Sequence, residues 1–122
     1  MNLLNLAQQY GTPLYVYDKQ EIFARIDELV TTLGSYSQTK FLYAIKTNFN
    51  PHIVREIISR GFGIDAVSLD EVKLALYCGA APENISFTEN NLTDTEMDET
   101  VRLGVLLNIG SISRLEKFGQ KY

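Results

Sequence analysis

Long apolar runs, clustered basic charge and paired cysteines are all missing from this chain. No uninterrupted hydrophobic segment is long enough to cross a bilayer, so the sequence carries no membrane-spanning signal. Lys and Arg number 11 against 15 Asp and Glu, and no basic stripe is present to neutralise phosphates. A nucleic-acid partner is therefore not expected. The one cysteine, Cys78, rules out an intramolecular disulfide and suits a reducing compartment. It closes the apolar run from Val72 to Cys78, where burial is its expected role. The start, Met1 to Gln9, lacks a basic region and interrupts its apolar residues with asparagine. It reads as a short helix rather than a secretory signal, and a cytoplasmic protein is expected. No G-x-G-x-x-G, P-loop, C-x-x-C or H-E-x-x-H spacing occurs, so dinucleotide, nucleotide and zinc sites have little support.

What the chain does have is 122 residues, 45% of them hydrophobic, and unusually clear punctuation. Gly34, Gly61, Gly79, Gly104 and Gly119 stand where helices should stop in a left-handed C′ residue. Capping-box spacings mark the starts: Asp18 before Glu21, Ser68 before Glu71, Thr93 before Glu96, and Ser113 before Glu116. Asn50-Pro51 supplies a further cap with proline in the first turn. Between stops and starts lie four β-prone runs, 41–45, 63–67, 85–88 and 105–109. Ile22, Ile26, Leu29 and Leu33 recur at helical intervals, as do Ile53, Val54, Ile57 and Ile58.

The pattern predicts a short helix, a strand at 14–17, a helix over 19–33, and then four β/α units. Strand starts recur about every twenty residues, which implies a parallel sheet. The expected class is α/β: the N-terminal half of a (β/α)8 TIM-type barrel, preceded by a strand and helix. An open doubly wound sheet is the alternative, and period alone does not separate the two. The expected division is 1–34 as an N-terminal segment and 35–122 as four barrel units. The capped helix near Ser113 has no return strand after it, so the chain is expected to be a truncated part of a barrel. Leu42, Val67 and Leu107 are expected to face inward there.

Lys46 ends the apolar run Phe41-Leu42-Tyr43-Ala44-Ile45 and precedes Thr47-Asn48. Strand alternation puts Leu42, Ala44 and Lys46 on one face and Phe41, Tyr43 and Ile45 against the helices. A lysine at the C-terminal rim of a parallel sheet can form an imine with an aldehyde cofactor, if its site favours the free amine. A solvated lysine closing a strand is the plain alternative.

The segments Thr12-Pro13-Leu14-Tyr15-Val16-Tyr17-Asp18, Phe41 to Asn48, Gly63-Ile64-Asp65-Ala66-Val67-Ser68, Ile85 to Asn91 and Val105 to Ser111 carry a resemblance. In order and spacing the chain resembles the decarboxylases of the alanine-racemase-like pyridoxal-phosphate fold, diaminopimelate decarboxylases most of all. The Tyr-Ala-Ile-Lys-Thr-Asn segment is specific for the fold family and much less so for the substrate.

The resemblance implies that Lys46 holds pyridoxal 5'-phosphate covalently and is the catalytic lysine. It implies that Ala44 lies beside the cofactor and that Asp65 tunes the polar environment there, a salt-bridged or surface carboxylate being the plainer role. Glu89, Asn90 and Asn91, and Gly110 with Ser111, resemble rim loops lining the cofactor. Ser68 and Glu71 read as a cap, and His52 as a solvated first-turn residue. By the family pattern, the groups that anchor the phosphate, the pyridine nitrogen and the substrate carboxylate lie past position 122. The implied function is decarboxylation of meso-diaminopimelate to L-lysine by a homodimeric full-length enzyme. Decarboxylation of another basic amino acid or of carboxynorspermidine stands beside it, as does a non-catalytic carrier of the cofactor.

Overall fold

The computed structural model describes residues 2–36, 38–89 and 91–122, which fall into two compact units, Met1–Thr39 and Lys40–Tyr122.

In the first unit, helix α1 (Leu3–Tyr10) starts at Asn2, whose side-chain oxygen accepts the Leu4 and Asn5 amides at 3.1 and 3.2 Å. Helix α2 (Lys19–Leu33) starts at Asp18, which accepts from Gln20 and Glu21 at 2.9 and 3.3 Å. Glu21 does not reach back to complete a box. Its carboxylate pairs instead with Arg25, one turn on, at 2.9 Å. Neither helix buries a residue. The expected strand at 14–17 is not a strand: no described segment offers it a hydrogen-bonding ladder, and Tyr15 is 88% exposed. Extended residues without a ladder remain loop. Gly34 is also not left-handed, with φ at −69°. Its glycine serves close approach, because a Cβ there would sit 2.4 Å from the Val30 carbonyl oxygen. The contacts divide the chain after Thr39. The amide and hydroxyl of Thr39 both bond back to the Tyr36 carbonyl, which keeps this stretch with the first unit.

The second unit is built on strands β1 (Leu42–Ala44), β2 (Gly63–Ala66), β3 (Ile85–Thr88) and β4 (Leu106–Asn108), all parallel and in the order β1-β2-β3-β4. Helices α3 (Pro51–Ser59), α4 (Leu69–Tyr77) and α5 (Asp94–Leu103) connect them, and α6 (Ile112–Lys121) follows β4. This order settles the architecture. A doubly wound sheet reverses direction at a switch point, whereas a barrel adds each strand beside the last. Four strands in running order are half of an eight-stranded barrel.

Register partners share a face. Tyr43, Ile64 and Ile85 form one row, and Ala66, Phe87 and Leu107 the next. Ile64, Ala66, Ile85 and Phe87 are at most 1% exposed, packed with Val54 from α3 and Val72 from α4. Burying a side chain such as Phe87 contributes about 3 kcal/mol, so this face holds the unit together. The opposite face carries Leu42, Ala44, Asp65, Ser86, Leu106 and Asn108, and there Leu42 is 41% and Leu106 61% exposed. Leu107 therefore does not face inward as expected. It shares the Phe87 row, and Leu106 takes the open position, because a one-residue change of phase exchanges the two faces.

Most of the punctuation has a physical counterpart. Gly61, Gly79 and Gly104 have φ of 84°, 99° and 72°. Thr93 and Glu96 form a full capping box, and Asn50 caps α3 with Pro51 in the first turn. Ser68 accepts the Glu71 amide, but the Glu71 carboxylate bonds the Val67 amide at 2.8 Å, one residue earlier than a box requires. At the last helix the expectation misses by two residues. Ser111 is the cap, accepting the Arg114 amide, and Ser113 lies inside the helix. Gly119 is helical too, since α6 runs on to Lys121, whose ammonium pairs with Asp98 of α5. Gly63, by contrast, starts a strand where a side chain has no room. A Cβ would meet the Asn84 carbonyl oxygen at 2.5 Å and the Leu42 side chain at 2.6 Å.

Candidate active site

The strand that carries Lys46 stops sooner than alternation predicts. β1 ends at Ala44, and Ile45, Lys46 and Thr47 form a 3-10 turn. The fully buried Ile45 anchors this turn in the core. The Thr47 hydroxyl donates to the Ala44 carbonyl at 2.8 Å, and the Tyr43 hydroxyl donates to the Asn48 carbonyl at 3.0 Å. Two hydroxyls thus tie the turn to the strand before it and the loop after it. Lys46 is exposed, and among the described residues its amine has no hydrogen-bond or ion-pair partner.

Asp65 lies in β2, in register between Ala44 of β1 and Ser86 of β3. It is half-buried on the open face, and among the described residues its carboxylate also lacks a partner. That excludes the structural salt bridge as its role within these residues. Ala44 is half-buried on the same face and adds only a methyl group. Ala44 and Asp65 are thus register neighbours on the open face, and Lys46 follows Ala44 by two residues in the turn beyond β1.

Glu89 has a different situation. Its carboxylate side chain is 8% exposed, and it accepts from Arg114 Nε at 3.1 Å and from the Gly110 amide at 3.2 Å. The other two Arg114 nitrogens bond the Asp94 carboxylate and the Leu92 carbonyl oxygen. One planar guanidinium thus closes the loop between β3 and α5 at three points, which a lysine ammonium in one fixed position would not match. Glu89 and Gly110 are rim residues, but they bind each other. Asn91 is exposed with φ of 61°, and Asn90 lies outside the described residues. His52 is exposed in the first turn of α3, its backbone amide bonded to Asn50. Cys78 is buried, and burial pushes its thiol up, with Arg55 pulling the other way. A protonated thiol packed in the core is inert.

Three residues of this region escaped the sequence reading. Ser86 and Asn108 are joined across β3 and β4 by Asn108 Nδ2 donating to Ser86 Oγ at 2.8 Å. The i, i+2 spacing of Ser86 and Thr88 was the available signal for a polar inner row. Arg114 had none, because its partners lie 20 to 25 residues earlier in the chain.

The donor set fits an aldehyde cofactor: an unpaired primary amine on the turn after β1, and on the open face an unpaired carboxylate in register with a small side chain. Among the described residues, no group of three His, Cys, Asp or Glu side chains could hold a metal ion, and no helix is long and apolar enough to cross a membrane.

Comparison with known proteins points the same way. The sequence model for the pyridoxal binding domain of pyridoxal-dependent decarboxylases matches residues 19–122. A diaminopimelate decarboxylase of Methanothermobacter thermautotrophicus is 38% identical over 118 residues, covering 96% of this chain and 28% of its own length. One from Aquifex aeolicus is 35% identical, covering 95% of this chain and 27% of its own. The crystal structure of diaminopimelate decarboxylase from M. jannaschii in complex with L-lysine superposes with a TM-score of 0.89 at 26% identity, over 98% of this chain and 29% of that one. The Helicobacter pylori enzyme, also with L-lysine, gives 0.79 at 28% identity, over 94% and 29%. The chain thus spans less than a third of the length of these relatives.

Proposed function

This chain belongs to the pyridoxal-dependent decarboxylase family, matching its pyridoxal-binding domain over residues 19–122, and we propose that it is part of an enzyme that converts meso-diaminopimelate to L-lysine and carbon dioxide. The observation that carries the proposal is the unpaired Lys46 amine in the turn that follows β1, inside Tyr43-Ala44-Ile45-Lys46-Thr47-Asn48, with the unpaired Asp65 in register with Ala44 two residues before it. The diaminopimelate name of the relatives supports the substrate, and L-lysine is bound in two of the structural neighbours.

Pyridoxal phosphate, when bound, supplies an electron sink for the pair left behind as carbon dioxide departs. Lys46 Nζ is the group that would hold the cofactor through its aldehyde, and it would be freed when an amino acid takes its place. A nucleophile in this position must be the free amine, so the absence of a carboxylate partner on Lys46 suits the task. The turn at residues 45–47 fixes where that amine starts from, since Ile45 is locked in the core. Asp65 offers a carboxylate to an N–H or O–H of the bound groups. Ala44 leaves room where a larger side chain would fill the face. The full-length enzyme, in this reading, is a cytoplasmic homodimer.

Borohydride reduction in the presence of pyridoxal phosphate tests the assignment in the frame extended to the length of the relatives. The reduced adduct is expected on Lys46, with carbon dioxide released from meso-diaminopimelate before reduction. Mass spectrometry placing the adduct on Lys40 or Lys73 would remove Lys46 from the site. An adduct on Lys46 without turnover of meso-diaminopimelate would keep the cofactor and change the substrate.

A further inference from the structure

Hydrogen-bond accounting across the open face leaves one donor and one acceptor unmatched side by side. Asn108 Nδ2 donates to Ser86 Oγ at 2.8 Å and lies 3.5 Å from Thr88 Oγ1, so both its protons point at hydroxyls of β3. Ser86 is only 8% exposed and has little access to water. A serine hydroxyl has one proton and two acceptor positions. Asn108 fills an acceptor position, and its NH2 group cannot take the serine proton in return. The register neighbour of Ser86 on the other side is Asp65, whose carboxylate has no partner among the described residues. Adjacent strands lie about 4.8 Å apart, so a turn of Asp65 about χ1 brings its carboxylate within reach of the Ser86 hydroxyl while the bond from Asn108 stays in place.

We propose that Asn108, Ser86 and Asp65 form a directional hydrogen-bond relay across β4, β3 and β2, in which Asn108 and Ser86 are positioning residues for the Asp65 carboxylate. The row is asymmetric. Asp65 is flanked by a hydroxyl on the Ser86 side and by the methyl of Ala44 on the other. Ser86 therefore holds one carboxylate oxygen, and the second faces the strand that leads to Lys46. The relay gives the site an acceptor of fixed direction, and its purpose rests on the reading of Lys46 as the cofactor lysine. Glu89, the other carboxylate at the ends of these strands, does not compete for Ser86, because Arg114 and the Gly110 amide already engage it.

The test is made on the isotope-labelled 122-residue chain by three-bond couplings that report Asp65 χ1. The wild-type chain should show one rotamer, Ser86→Ala should show averaging over the staggered positions, and Ser86→Thr, which keeps the hydroxyl, should restore one rotamer. Asn108→Ala, at an exposed position, should also loosen Asp65. A single Asp65 rotamer in Ser86→Ala, or averaging already in the wild type, would overturn the relay. If Ser86→Ala does not fold, Asn108→Ala decides alone: averaged couplings support the relay and an unchanged rotamer overturns it. Borohydride trapping of pyridoxal phosphate on Lys46, made in the frame extended to the length of the relatives, separates the two ideas. A relay intact without an adduct counts against the cofactor reading only, and an adduct with Asp65 indifferent to Ser86 counts against the relay only.

Discussion

Lys46, exposed in its turn, and Asp65, half-buried on the open face, are both polar groups, yet a substitution at each should read out differently. Lys46→Ala is expected to abolish the borohydride-fixed adduct while leaving the helical signal intact, because an exposed side chain without partners holds nothing in place. Asp65→Asn should leave the fold intact and shift the pH dependence of the visible absorbance of the cofactor-loaded protein. An unchanged titration with normal turnover would make Asp65 dispensable. Arg114 is the opposite case, a residue whose value is in the fold. Arg114→Met strands Glu89, whose side chain is 8% exposed, without its cation. The expected loss is about 3 kcal/mol, read as a lower urea midpoint at unchanged slope. Arg114→Met with Glu89→Gln should recover part of it, because the stranded charge is gone. The lysine was legible in the sequence because its neighbours form a specific string. The 3-10 turn that carries it was not, since strand alternation continues on paper through Ile45 and Lys46. What ends the strand is the tie from the Thr47 hydroxyl to the Ala44 carbonyl, a contact that periodicity does not report.

Helix starts behaved as their chemistry dictates where a cap has no competitor. Thr93 and Glu96 satisfy each other's backbone, and both bonds with Thr93 hold the Glu96 carboxyl below its ordinary range. Thr93→Ala should therefore cost about 1 kcal/mol at neutral pH. The sign with pH follows from the lowered carboxyl. Its contribution is present above the unfolded-state value and is lost as pH falls through the folded-state value. The gap between wild type and Thr93→Ala should narrow in acid melts, and a gap that widens would contradict the box. Where a competitor exists, the spacing misled. Glu21 is drawn to Arg25, Glu71 to the Val67 amide, and the cap of α6 moves back to Ser111. Glycine was informative to the same extent. Gly61, Gly79 and Gly104 end helices with positive φ, but Gly34 answers a steric demand and Gly119 sits within a helix. The strand at 14–17 has a strand's composition and no partner, and pairing is a property of two segments rather than one.

At the scale of the whole second unit, β1 and β4 are the outer strands of the sheet, and Leu42 and Leu106 on its open face are 41% and 61% exposed. Barrel closure removes edges of this kind, and an open parallel sheet invites association through them. The 122-residue chain is expected to release no carbon dioxide from meso-diaminopimelate with pyridoxal phosphate added, whereas the frame extended to the length of its relatives should do so. It should also associate as concentration rises in sedimentation, and Leu106→Lys on the exposed face beside the β4 edge should reduce that association without loss of helical signal. Equal turnover by the short and long chains would overturn the half-barrel. The running strand order has a further consequence, in time rather than in space. Strands begin at residues 42, 63, 85 and 106, and each pairs with the one made just before it. A chain leaving the ribosome can therefore seat every new strand against a finished neighbour after only a short further stretch of synthesis, paying loop-closure entropy in small equal instalments. Within these four strands each new one finds its inner neighbour already made, so their assembly can keep pace with translation, and only the outer edge of β1 waits for barrel closure.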